Sequence, residues 1–226
     1  MERLGKITKL YILIYLVGVL LHPAHAGCPD KCICSNKKLP DSDLEGLRVK
    51  CVGGPGGKIS TFKEINLSDV NQAEITHLDL SNNHISSLES SHFVNMSQLR
   101  RLDLTQNSMR LIDETVFGEM PKLEDLKLSQ NLIAHIYQGS FDRMPSLRLL
   151  DISMNPLVCD CNLLWLNPWS ANNSVKLQKQ PKCESTGTFK GTPIKKLKIG
   201  TDLHCESQLQ THLELMPDHD QILFEG

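Results

Sequence analysis

The sequence predicts an α/β-type repeat solenoid, a curved stack of strand-plus-return units with a parallel concave sheet and a disulfide-bonded cap at either end. Two observations predict it. Leu or Ile recurs every 24 residues at Ile75, Leu99, Leu123 and Leu147, at Leu78, Leu102, Leu126 and Leu150, and at Leu80, Leu104, Leu128 and Ile152, with Asn83, Asn107, Asn131 and Asn155 completing the four units. Eight cysteines fall into two sets of four that bracket this region. A single unit of this kind cannot bury its own apolar face, and stacked units bury a continuous core.

The columns read LxxLxLxxNxL, the leucine-rich repeat pattern, and define four repeats over residues 75–157. Alternation of Leu with polar residues is strand period, so the leucines point into a core and the residues between them face out. The Asn column turns the chain away from each strand, because a buried amide can satisfy backbone groups of neighbouring turns. Phe93, Phe117 and Phe141, then Met96, Met120 and Met144, hold the same phase. The Phe column should stack as a spine under the convex side. Structural roles account for these columns, and no chemistry is assigned to them.

Residues 1–26 read as a secretory signal peptide: Lys6 and Lys9 precede an apolar run from Tyr11 to Leu21, and Ala24-His25-Ala26 supplies a small-x-small cleavage site. That run has eleven residues, short of the ~20 that a spanning helix needs. A retained signal anchor is the second reading. No later segment approaches membrane length, so the chain is expected to carry no transmembrane segment beyond the signal peptide and to be secreted or held on the extracellular side of the plasma membrane.

Export favours disulfides over thiolate metal sites. Residues 27–74 form an N-terminal cysteine-rich cap with Cys28, Cys32, Cys34 and Cys51, and residues 158–206 form a C-terminal cap with Cys159, Cys161, Cys183 and Cys205. A zinc site has the right ligand count but lacks paired CxxC elements. Two caps fit better, since a solenoid exposes apolar core at both ends. Three connectivities per set remain open. Within the first cap, Leu47, Val49 and Cys51 alternate and should start the sheet. The run from Gly53 to Lys58 reads as a flexible surface insertion rather than a phosphate loop, which would need Gly at Val52 and Ser or Thr at Ile59. In the second cap, Trp165 lies 24 residues after Phe141 and is expected to close the spine, while Asp160 stands where a core Ile was due.

The cysteine sets carry a resemblance. The first resembles the N-terminal flank of extracellular leucine-rich repeat proteins, and Asn155-Pro156-Leu157-x-Cys159-Asp160-Cys161-x-x-Leu164-Trp165-Leu166 resembles the matching C-terminal flank. The resemblance implies pairing of first with third and second with fourth in each set: Cys28 with Cys34, Cys32 with Cys51, Cys159 with Cys183 and Cys161 with Cys205. Residues 207–226, a linker ending in Ile222-Leu223-Phe224-Glu225-Gly226, look like the opening strand of a truncated immunoglobulin domain. Together with Trp165-Leu166-Asn167-Pro168-Trp169, they make the chain similar to the N-terminal ectodomain of subgroup A adhesion G-protein-coupled receptors. Slit-like proteins and neurotrophin receptor kinases share the flanking motifs. The resemblance implies a longer receptor continuing through an immunoglobulin domain and a hormone-receptor-like domain to seven membrane helices, and relatives that serve as co-receptors in Wnt signalling. The chain departs from that pattern in having four clear repeats, a long spacing between Cys34 and Cys51, and no transmembrane segment. A secreted short form and an incomplete gene product are both consistent with these departures.

No HExxH, GxSxG or nucleophile–base arrangement occurs, and the nine histidines are scattered. The chain is therefore read as non-catalytic, with no cofactor and no metal. Alternation turns His77, Asp79 and Ser81, Arg101, Asp103 and Thr105, Asp125, Lys127 and Ser129, and Leu149, Asp151 and Ser153 outward from the sheet. Asp followed by Leu and Ser keeps a wet surface wet, which is the structural account of these columns. Arg101, Asp125, Lys127 and Leu149 depart from it and are the candidates for partner contact, with His77, Asp103 and Asp151 beside them. Asn66, Asn95 and Asn172 head N-glycosylation sequons that avoid those positions. A lysine-rich C-terminal flank with Lys190, Lys195, Lys196 and Lys198 gives the alternative, a secreted matrix protein that binds sulfated glycosaminoglycans. Nucleic acid is excluded by the compartment and by the lack of interleaved aromatics. The expected function is recognition of an extracellular or cell-surface protein.

Overall fold

The computed structural model describes residues 28, 29, 31–38, 45–51, 53, 57–68, 70–184 and 189–197. The expected signal peptide, Gly54-Pro55-Gly56, Lys198, Cys205 and residues 207–226, expected to open an immunoglobulin domain, lie outside the described residues.

The repeats form a parallel sheet. Strands β1 (Ile33–Lys38), β2 (Glu45–Lys50), β3 (Ile75–Asp79), β4 (Arg101–Asp103), β6 (Asp125–Lys127), β8 (Leu149–Asp151) and β9 (Lys176–Leu177) lie side by side in that order. Every neighbouring pair from β2 to β9 is parallel, as successive same-handed turns of a solenoid require. A second, two-stranded parallel sheet joins β5 (Leu111–Ile112) to β7 (His135–Ile136) on the return arms. Those arms are 3-10 turns and extended segments, and the C-terminal cap holds a short helix, α1 (Leu166–Asn172).

The sheet does not begin where the alternation of Leu47, Val49 and Cys51 placed its start. β2 is its second strand, and β1 precedes it as the antiparallel arm of a hairpin, with Cys34 opposite Val49. Disulfides Cys28–Cys34 and Cys32–Cys51 tie that hairpin to the stack. The sequence of β1 continues from Cys34 as Ser35-Asn36-Lys37-Lys38, which has no apolar alternation to betray a strand. Such a polar outer strand is what a solenoid end needs to meet water. At the other end, Cys159–Cys183 is bonded and Cys161 is also disulfide-bonded.

The core is one cluster from cap to cap. Leu78, Leu102, Leu126 and Leu150 are buried in a row, and Phe93, Phe117 and Phe141 stack beneath the convex side at centroid spacings of 6.3 and 6.4 Å. Phe62 extends the spine into the N-terminal cap, 5.7 Å from Phe93, with His92 stacked on it at 4.5 Å. Trp165 continues it at 6.2 Å from Phe141, but is only partly buried. The reason is polar: its indole Nε1 donates to Ile136 O at 3.1 Å, and Trp169 fills the space nearer Phe141, at 5.3 Å.

Each asparagine of the repeat binds two turns at once. Asn107 Nδ2 donates to Leu104 O in its own turn at 3.0 Å and to Leu80 O in the preceding turn at 2.9 Å, while its Oδ1 accepts from the Ile85 amide at 3.0 Å. Asn131 repeats this with Leu128, Leu104 and Met109, and Asn155 with Ile152, Leu128 and Ile133. Asn83 makes the same bonds to Leu80, and to Cys51 and Ile59 of the N-terminal cap. The residue before each asparagine is left-handed: Asn82, Gln106, Gln130 and Met154 have φ of 58°, 59°, 57° and 55°. Here the chain reverses out of the strand, and only Asn82 is a residue type suited to that conformation.

Two stability outcomes are expected. Asn107→Ala orphans the buried Ile85 amide and removes one of the two asparagine bonds to Leu80 O and to Leu104 O, which keep those from Asn83 and Asn131, and should cost ~1–3 kcal/mol in urea denaturation. Met154→Asn relieves the left-handed strain at a side chain that is 68% exposed. It should add ~0.5–1 kcal/mol, read as a melting temperature higher by ~2–4 °C.

Candidate functional site: the concave face

Parallel, in-register pairing converts strand alternation into rows across the sheet. One row runs Arg48, His77, Arg101, Asp125, Leu149 and Lys176, and the next runs Lys50, Asp79, Asp103, Lys127 and Asp151. Adjacent members of a row are separated by about 4.8 Å, the strand spacing.

The second row is internally neutralised. Asp79, Asp103 and Asp151 each use Oδ1 to accept the amide two residues on, from Ser81 at 3.0 Å, Thr105 at 3.0 Å and Ser153 at 3.2 Å, which fixes the exit from the strand. Their Oδ2 atoms pair with Lys50 at 3.3 Å, Lys127 at 3.3 Å and Lys179 at 2.7 Å. Asp103 and Asp151, nominated for partner contact, therefore have backbone work already. Asp151 is 1% exposed rather than facing water, because Lys179 from the C-terminal cap closes over it. Burial alone raises its proton affinity, but the Lys179 ammonium and the Ser153 hydroxyl and amide outweigh burial and hold the carboxyl below its ordinary range.

Asp125 is a second correction. It lies on the expected side of the sheet but is 5% exposed, tucked under Arg101, whose Nε is 3.0 Å from Oδ2. Its Oδ1 is buried without a hydrogen-bond partner. Burial pushes its carboxyl above the ordinary range, and Arg101 and Lys127 only partly offset the rise. Ser129 and Ser153 are likewise buried rather than turned to solvent.

Besides the half-buried Asp103, four nominated residues remain accessible. Arg101 is exposed, and His77, Lys127 and Leu149 are half-buried, with His77 Nδ1 3.0 Å from Thr76 Oγ1. Toward the N-terminal cap, the face deepens into a concavity of about 380 Å³ between β2 and β4, with His77 and Arg101 in its lining. Arg48, Lys50 and Ile33, which the sequence reading did not nominate, line it too. The signal for the first two was present: if Leu47, Val49 and Cys51 point inward, Arg48 and Lys50 point outward.

Asn66, Asn95 and Asn172 are exposed and none lines this concavity. Lys190, Lys195 and Lys196 are exposed on the C-terminal cap. Among the described residues, no group of three His, Cys, Asp or Glu side chains is placed to hold a metal ion, and no helix is long and apolar enough to cross a membrane.

A curved parallel sheet with disulfide-bonded flanks, an asparagine ladder and a charged concave face defines a leucine-rich repeat domain. Residues 73–128 and 110–157 match the family model described as Leucine rich repeat. Mouse (Mus musculus) Adhesion G protein-coupled receptor A2 is 34% identical over 71 residues, which are 31% of this chain and 5% of that receptor. The crystal structure of human 5T4 (Wnt-activated inhibitory factor 1, trophoblast glycoprotein) superposes with a TM-score of 0.52 at 25% identity, covering 59% of this chain and 49% of that one. The chain thus matches a small part of the receptor and about half of the 5T4 chain. Its repeat domain is homologous to receptor ectodomains and is a protein–protein interaction module.

The two buried carboxylates should respond oppositely to neutral substitution. A depressed folded-state pKa gives stability that is present above the unfolded pKa and lost as pH falls through the folded value. Asp151→Asn should therefore lower the melting temperature at pH 7, with the loss shrinking as pH falls below the ordinary carboxylate range. A raised folded-state pKa favours folding only while the carboxyl is protonated. Asp125→Asn should keep or raise the melting temperature at pH 7, and its advantage should vanish near pH 4 and below. Thermal melts of the three proteins across pH check both signs.

Proposed function

We propose that this chain is the ligand- or co-receptor-binding part of a cell-surface receptor, non-catalytic, and that it binds its protein partner on the concave sheet. The observation that carries the reading is the placement of Arg101, Lys127, His77 and Leu149. The repeat does not dictate these side chains, yet parallel register gathers them on one accessible face that the sequons leave clear. A broad, mixed-charge, curved surface suits a protein partner better than an enclosed small substrate. The name of the mouse relative makes it a receptor, and the human neighbour's name ties it to Wnt-activated inhibition; Wnt-related signalling at the cell surface is the setting proposed for this chain.

The Arg101–Asp125 pair governs the choice of test. Reversing Arg101 to an acid would place it against a buried carboxylate, so binding loss and unfolding would be confounded. Neutralising the patch as Arg101→Gln, Asp125→Asn and Lys127→Gln together removes both members of the buried pair; Asp103, which loses Lys127, is half-buried and keeps its bond from the Thr105 amide. This triple variant should be secreted and melt within a few degrees of the parent. Its affinity for a cell-surface protein captured from intact cells, measured by surface plasmon resonance, should fall at least ~10-fold. Lys122→Gln, on an exposed return arm where Lys122 bonds Gln98 at 2.6 Å, should leave affinity unchanged. Unchanged binding by the triple variant, with loss in Lys122→Gln, would make the sheet scaffold alone.

A further inference from the structure

We infer that the N-terminal end of the concave face is a carboxylate-docking site, built around Arg48, which takes an acidic side chain of a partner polypeptide followed by an apolar residue. The inference rests on the concave-face reading and adds the chemistry of the occupant. Arg48, His77 and Arg101 stand in register on β2, β3 and β4, so their side chains line one wall of the 380 Å³ concavity. The acids of that concavity are already engaged: Asp79 with Lys50 and Ser81, Asp103 with Lys127 and Thr105. Arg48 has no ion pair among the described residues, and its Nε is buried without a hydrogen-bond partner. A desolvated guanidinium nitrogen left unpaired is costly, and a planar carboxylate is the group that satisfies it with two parallel bonds. Arg101 spends Nε on Asp125, which leaves its terminal nitrogens for a second oxygen acceptor.

The row also limits the occupant. Beyond Arg101 it turns to Asp125 and Leu149, so the basic track ends after three positions. An extended polysulfated chain needs a longer basic track, whereas a single carboxylate fits this one. Ile33, 73% exposed at the rim, supplies apolar contact for the residue next to the acid.

The test uses the exported chain, isotope-labelled, with two capped peptides, Ac-Ser-Glu-Leu-Ser-NH2 and its Gln counterpart, and a heparin hexasaccharide as a separate arm. Addition of the Glu peptide should shift the Nε–H signals of Arg48 and Arg101 and the amides of β2–β4 in a saturable manner. The Gln peptide and the Arg48→Gln protein should each bind at least ~10-fold more weakly. Arg48→Lys keeps the charge without the fork; equal melting temperatures for it and the parent, with weakened binding, separate docking from folding. Indifference of the Arg48 signal to the Glu peptide, or equal binding of Glu and Gln peptides, overturns the inference. So does a hexasaccharide that shifts these signals where the peptide does not, which would assign the site to sulfated glycan. Loss of partner binding in the triple concave variant alongside a silent peptide titration would leave the concave-face reading standing and remove only the carboxylate site.

Discussion

The asparagine at the end of each strand sets the geometry of the whole molecule. A turn that leaves a strand at the edge of an apolar core strands several backbone groups away from water, and each orphan costs on the order of 1–3 kcal/mol. One amide side chain meets that need with two donors and an acceptor, provided that two carbonyls from successive turns and one amide nitrogen converge on it, as Leu80 O, Leu104 O and the Ile85 amide converge on Asn107. This requirement fixes the distance and phase between turns. The leucine rows and the phenylalanine spine then fall into register because the asparagines leave no other spacing, and the concave rows inherit that register.

Register is also what separates scaffold from surface on the concave side. Aspartates at the second row are held from behind by strand-exit amides and from in front by lysines, so they serve the fold twice over. The first row has no such backbone duty. Its composition changes from Arg48, His77 and Arg101 at the N-terminal end to Asp125 and Leu149 further on, and this gradient gives the face distinct regions. The N-terminal cap matters here as more than a lid, since β2 contributes two cations to the face and β1 contributes Ile33 to its rim.

The solenoid was legible in the sequence because a 24-residue period repeats each physical demand four times. Period-2 alternation likewise placed the two charged concave rows, but in the third column it turned outward Ser129 and Ser153, which are buried. What alternation cannot report is depth: Asp125 and Asp151 point as expected, yet Arg101 and Lys179 cover them, and Lys179 comes from outside the repeats. The hairpin strand β1 was illegible because its partner face is a polar end of the stack, which leaves no apolar period to read. Trp165 kept the phase of the spine but lost full burial to its own indole N–H, which needed Ile136 O, and to the competing ring of Trp169. The left-handed column escaped notice because Gln106, Gln130 and Met154 are not residues that announce such a turn.

The asparagine bonds also give the stack a direction. Every asparagine reaches back to the turn before it, and the first, Asn83, reaches back to Cys51 and Ile59 of the N-terminal cap. The joint between one unit and the next is therefore chemically identical along the array, while the two ends are not interchangeable. A duplication or deletion of one whole 24-residue unit would reproduce every joint without altering any surviving one. A length change confined to the return arm preserves the joint too, as the N-terminal one shows: 32 residues separate Cys51 from Asn83 where 27 separate Leu80 from Asn107. The lineage of such a protein can thus lengthen or shorten its recognition face in whole steps, while the entry cap and its cationic wall stay fixed at the start of the count.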